Sequence, residues 1–254
     1  MAAGHRDQGG AAAPGAARAG RSRLVFAGAM LLLATVFILL GTWQVQRLFW
    51  KLDLIARVEA RIHAQPMPPP PQPAWPDIAA PTHEYLRVTA EGTFDHARAV
   101  LVQAVTERGA GFWVMTPLRQ ADGTTILVNR GFVPPDRRDT ASRSEGDIAG
   151  PVRVTGLVRM SEPGGGFLRA NDPAHGRWYS RDVAAIATAT GLKGVAPYFL
   201  DADATPNPGG LPAGGLTIVR FRNSHLVYAL TWYAMAAMSI GAMLVLGRHA
   251  RRAG

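Results

Sequence analysis

The chain has 254 residues, 48% of them hydrophobic and 18% charged, with a formal net charge of +9. Such a basic excess points first to a polyanion, but its placement excludes a basic groove on a folded domain: Arg6, Arg18, Arg21 and Arg23 (against Asp7) lie in residues 1–23, Arg248, Arg251 and Arg252 in residues 247–254, and the long middle is near balance. The absence of cysteine excludes disulfides, thiolate metal sites and thiol redox chemistry.

Residues 1–23, rich in Ala and Gly, are expected to form a disordered cytoplasmic tail. Residues 24–45 carry no charge and span roughly 30 Å as a helix, the thickness of a bilayer's hydrocarbon core. Their Leu, Ile, Val and Phe side chains favour insertion by about 3 to 7 kcal/mol. A cleaved signal peptide would need a small-x-small site after the run. Trp43-Gln44-Val45-Gln46-Arg47 follows instead, so a retained anchor is expected. The helical pattern continues over 46–65, with Leu48, Leu52, Ile55 and Ile62 on one face. Residues 66–82 are proline-rich and predict an extended linker, either a plain connector or a docking strip for a partner.

Residues 83–222 read as a β-rich domain. Leu86, Val88 and Ala90 alternate with polar residues ahead of a turn expected near Gly92. Further strands are predicted over 100–106, 112–118, 124–129 and 152–158, with a turn at Ala121-Asp122-Gly123 and a bulge at Gly156. Residues 182–190 suit one short helix capped by Asp182 and ended by Gly191. Strands over 197–200 and 216–221 complete an antiparallel barrel or sandwich. Residues 225–246 form the second candidate span, with Ala237 and Gly241 offering a close-packing face, and 247–254 a basic tail. Arginine outside both spans puts both termini in the cytoplasm and the middle in a bacterial periplasm. The bacterial source is read from 27 Lys and Arg, of which only Lys51 and Lys193 are lysine. The fold class is therefore α+β: a two-helix transmembrane hairpin flanking a periplasmic β domain with one short helix.

Enzyme motifs are absent: there is no G-x-S-x-G, S-x-x-K, H-E-x-x-H or Walker A sequence. His63, His83, His96 and His175 lack ligand spacing, and Gly164-Gly165-Gly166 precedes no predicted helix. No enzymatic activity and no nucleic-acid binding are expected. The informative place is where the two spans surface. A hairpin brings Trp43, Gln44 and Arg47 near Arg222-Asn223-Ser224-His225. Asn223 or Ser224 can cap the second helix, and Tyr228 and Trp232 follow His225 on one face. An imidazole backed by aromatics, with arginines nearby, suits haem: iron on His225, the macrocycle on the aromatics, propionates on Arg47 or Arg222. The same residues also read as ordinary interfacial anchors.

The segments LGTWQVQRLFWKLDLI (40–55), EGTFDH (91–96), VNRGFVP (128–134), RVTGLVR (153–159), NDP with RWYSRDV (171–183) and RNSHLVYALTWYAMA (222–236) occur in that order. Together they resemble the Surfeit locus protein 1 family, from about Leu24 to Leu246. The resemblance implies a two-span inner-membrane protein that assists biogenesis of haem-copper cytochrome c oxidase. It implies haem a as a transiently bound cargo on His225, bound for the catalytic subunit I. Subunit I or the haem a synthase would be the docking partner, and membrane lipid surrounds the spans. The resemblance assigns no role to Trp43, Gln44, Arg47, Tyr228 or Trp232. A haem-free scaffold that stabilises an oxidase subunit is the other reading.

Overall fold

The computed structural model describes residues 14–252 except 167, 218 and 220. Of the tail expected over 1–23, residues 1–13 lie outside the described residues, and from Pro14 the chain is already helical. The chain divides into two compact units, one of Met1–Ile55 with Phe221–Gly254 and one of Ala56–Arg220.

The first unit is a helix pair. Helix α1 runs Pro14–Ile62, its last turns belonging to the second unit, and helix α4 runs His225–Arg252. (Helices α2, Ala80–His83, and α3, Val183–Thr190, fall between them.) Both are long and apolar enough to cross a membrane, with mean hydropathies of 2.6 and 1.7 in their most apolar stretches. Most of their large apolar side chains face outward, including Leu32, Leu39, Leu226 and Leu230. Small residues line the contact between the helices: Ala34, Gly41, Ala229, Ala236 and Ser239 are buried. A Cβ on Gly41 would stand 2.8 Å from the Tyr233 ring, so glycine is what lets that ring lie against α1. The expected packing face of Ala237 and Gly241 is not used between these helices. Ala237 is exposed, and nothing lies within 4 Å of a Cβ built on Gly241.

The second unit is a barrel-like sheet. Its strands are β1 Arg87–Phe94, β2 Val100–Thr106, β3 Gly109–Arg119, β4 Thr125–Val133, β5 Pro151–Met160 and β6 Val195–Ala202. They are ordered β1-β5-β6-β4-β3-β2, and β1 also pairs with β3 at Thr93↔Arg119 and Phe94↔Leu118. That pairing closes the sheet. The pairs are antiparallel except β4 with β6, which is parallel, so the expected all-antiparallel sheet is corrected to a mixed one. A parallel neighbour needs a crossover, and here it contains β5 and helix α3 (Val183–Thr190).

Alternation along the strands sorts the core into two clusters. Val88, Ala90, Leu118, Ile126, Val128, Val158, Tyr198 and Leu200 meet in one. Leu127 and Phe199, on the opposite faces of β4 and β6, pack with Met115, Trp178, Val183 and Ile186 in the other, against α3. Strand β4 is buried at every position because it is covered on both faces. Asp182 caps α3 by accepting from the Ala185 N–H at 3.1 Å, and Gly191 ends it with φ 66°.

Three expectations change. Gly92 is not a turn: β1 runs on to Phe94, and a Cβ there would strike the carbonyl of Arg119. Gly156 sits in regular register with Val88 and Ala202 and is needed for close approach to Asp201, not for a bulge. No strand forms over 216–221 among the described residues. The proline-rich segment is no free linker either. It holds a 3-10 helix, Gln72–Asp77, and the short helix α2, Ala80–His83. Met67 bridges to Val88, and Trp75 and Ile78 pack on the first core cluster. The carbonyl of Pro70 accepts from Trp75 Nε1 at 3.2 Å and from Tyr198 Oη at 3.1 Å.

Candidate functional site

In the helix pair, α4 opens on His225. Its backbone N–H is turned back to Asn223 Oδ1 at 3.4 Å, and the Ser224 carbonyl accepts from the Tyr228 N–H at 3.2 Å. The polar run Asn223-Ser224 thus starts the helix and sets the imidazole in its first turn. The ring is half-buried, with Nδ1 2.7 Å from Gln44 Oε1 of α1. An amide oxygen can only accept, so Nδ1 carries a proton, and in the neutral ring the in-plane lone pair lies on Nε2. Nε2 has no partner among the described residues. A neutral imidazole with its second nitrogen anchored is what a metal-ligating histidine requires.

Two turns further along, Trp232 stacks on Phe37 with centroids 5.7 Å apart and planes at 28°. Phe37 lies seven residues before Gln44, so the antiparallel helices keep register from one contact to the next. Between these levels Tyr233 Oη meets Thr42 Oγ1 at 3.2 Å. Of the expected site residues, the structure joins Gln44 to His225 and places Trp232 on the same helix pair. Trp43, Arg47 and Tyr228 are exposed and make no hydrogen bond, ion pair or ring contact with His225 among the described residues. The Arg47 guanidinium lies 4.3 Å over the Trp50 ring, and Arg222 is exposed. For haem, the donor set fits: one free ring nitrogen, apolar and aromatic side chains facing outward, and arginines within a turn or so of Gln44 and His225.

Two buried polar clusters in the sheet unit escaped the reading of the sequence. In the first, Arg130 is 2% exposed, stacks at 4.8 Å on Phe94, and donates to the Gly146 carbonyl, Asn207 Oδ1 and Asp147 Oδ1. It also approaches His96 Nδ1 at 3.4 Å. Burial pulls the Arg130 guanidinium below its usual range, opposed by Asp147. The EGTFDH and VNRGFVP segments meet here, so their shared place in the resemblance was the signal available. In the second, Asp201 accepts from Arg159 at 2.9 Å, Arg181 at 3.0 Å, Asn129 at 2.8 Å and Thr217 at 2.9 Å. Arg181 also clasps Glu162 at 2.5 and 3.1 Å. Both clusters brace loops onto strands. No group of three or more His, Cys, Asp or Glu placed to hold a metal ion occurs among the described residues.

Comparison with known proteins covers the same ground. Residues 31–237 match the SURF1 family model, a stretch that includes both Gln44 and His225. Surfeit locus protein 1 of Homo sapiens is 38% identical over 227 residues, covering 82% of this chain and 73% of its own. That of Mus musculus is 40% identical over 226 residues, with 82% and 71% covered. The SURF1-like protein of Monosiga brevicollis is 39% identical over 234 residues, 87% of each chain. At these identities, over most of both partners and across both helices and the sheet, the chain belongs to the SURF1 family.

Proposed function

We propose that this chain is a membrane-anchored assembly factor for haem-copper cytochrome c oxidase that holds haem a as cargo at His225. Family membership implies the role in oxidase assembly; the haem reading rests on the site. The observation that carries it is the Gln44–His225 hydrogen bond, which leaves Nε2 unengaged. His225 would ligate the iron, and Arg47 or Arg222 would meet the propionates. Gln44 orients the ring and fixes its tautomer, while Trp43, Tyr228 and Trp232 supply aromatic surface. The sheet unit docks on catalytic subunit I or on the haem a synthase, and no bond-making step is assigned to the chain.

In this reading the outward apolar faces of α1 and α4 lie in the lipid of a bacterial inner membrane. The arginines at both ends stay in the cytoplasm, and the sheet unit and His225 lie on the periplasmic side. The test is the haem a content of protein purified from cells that make it. Wild type carries haem, and His225→Ala carries little. Equal and negligible haem in both would sink the cargo reading and leave a haem-free scaffold for an oxidase subunit.

A further inference from the structure

One edge of the sheet is open beside a groove that the haem reading does not use. Among the described residues strand β2 has β3 as its only strand neighbour, and its outer edge is bridged at Val102 by Trp178. Gln103, opposite Phe112, donates its N–H away from β3, to the Trp178 carbonyl at 2.8 Å. Antiparallel ladders alternate, so Val105, two residues on, also turns its N–H and C=O outward. Neither is bonded among the described residues, and the Val105 side chain is 87% exposed. Unpaired backbone of this kind is a template for an added strand.

The groove along this edge measures about 530 Å³, and Val105, Phe112, Arg169 and Tyr179 are among its lining residues. Its surroundings are basic and aromatic. Arg138 lies 5.3 Å over the Phe112 ring, and Arg169 lies 5.5 Å over Tyr179. Arg177 lines the adjoining hollow. Neither Arg138 nor Arg177 makes an ion pair among the described residues. Asp172, the carboxylate of the neighbouring loop, is already held by His175 Nδ1 at 2.8 Å. A guanidinium stacked on a ring keeps its edge N–H groups for a carboxylate.

We propose that this edge receives an extended, carboxylate-bearing segment of a partner protein. The segment adds to β2 at Val105 and lays its acids on Arg138, Arg169 and Arg177. An anionic membrane surface would satisfy the arginines but has no strand backbone to offer Val105, so the open edge favours a peptide. The inference goes beyond the haem reading and does not depend on His225.

The test uses the full chain in detergent and a fluorescent alternating Val-Glu octapeptide, followed by anisotropy. The octapeptide binds, weakens by about tenfold in the Arg138→Gln, Arg177→Gln double variant, and slows hydrogen exchange at the Val105 amide. A backbone N-methylated octapeptide, which leaves the protein untouched, loses binding. Equal binding by a Val-Gln octapeptide or by the N-methylated one overturns the proposal. So does binding of anionic phosphatidylglycerol vesicles through these arginines without binding of the octapeptide.

Discussion

At the scale of single residues, a ligating histidine is only as good as the group that holds its other nitrogen. Gln44→Leu removes the acceptor for Nδ1–H, so the ring loses both its tautomer and its orientation. If His225 holds haem as proposed, haem affinity should fall by about 10- to 100-fold while the protein stays folded, read by haem titration of the purified variant. Unchanged affinity would mean that Gln44 plays no part in positioning. Asp201 offers a test of stability. It is buried between two arginines, and Asp201→Asn turns their shared carboxylate into a neutral amide, leaving Arg159 with Glu84 and Arg181 with Glu162. The loss of two charge-assisted hydrogen bonds costs about 1.5–3 kcal/mol, measured by denaturant unfolding. The opening of the second helix at His225 was legible in the sequence because a polar tripeptide breaks sharply into an uncharged run. The roles of Gln44 and Asp201 were not legible, since each depends on a partner far along the chain and Asp201 sits in a strand of hydrophobic neighbours.

At the scale of elements, the joins carry the predictions. Glu162, just past β5, is clasped by Arg181, just ahead of α3. Burial pushes the Glu162 carboxyl up, but the hydrogen bonds and charge of Arg181 outweigh this and hold it below its ordinary 4.5. Because the folded value is the lower one, the clasp stabilises fully above the ordinary range and is lost as pH falls through the folded value. Glu162→Gln should therefore be less stable than wild type at neutral pH, with the gap closing below about pH 4.5 in unfolding curves. A gap that stays constant into acid would show that the clasp is not electrostatic. In the helix pair, Gly41→Val drives a branched side chain into the Tyr233 ring and should part the helices, seen as loss of a disulfide engineered between them. Strands β2 and β5 and helix α3 were readable from alternation and caps. The parallel β4–β6 pair was not, because a strand buried on both faces shows no alternation to reveal its neighbours. The glycines at 92 and 156 were misread for a related reason: close approach to another strand's backbone leaves the same mark in sequence as a turn or bulge.

For the whole molecule, the charge bias at the two ends makes a topological prediction. A reporter fused at the C-terminus should behave as cytoplasmic, and one inserted at Gly165 as periplasmic. The opposite pattern would put His225 on the wrong face for the proposed role. The closed sheet has a different consequence, one of timing. Strand β6 lies between β4 and β5, and without it the remaining strands are joined into one sheet only through the two residue pairs of β1 with β3. The last strand made is therefore the keystone of the ring. During synthesis the unit must wait, open and with unpaired edges, until residues beyond 202 have emerged. A chain stopped short of Val195 should leave no protease-resistant core, however much of the sheet it already contains.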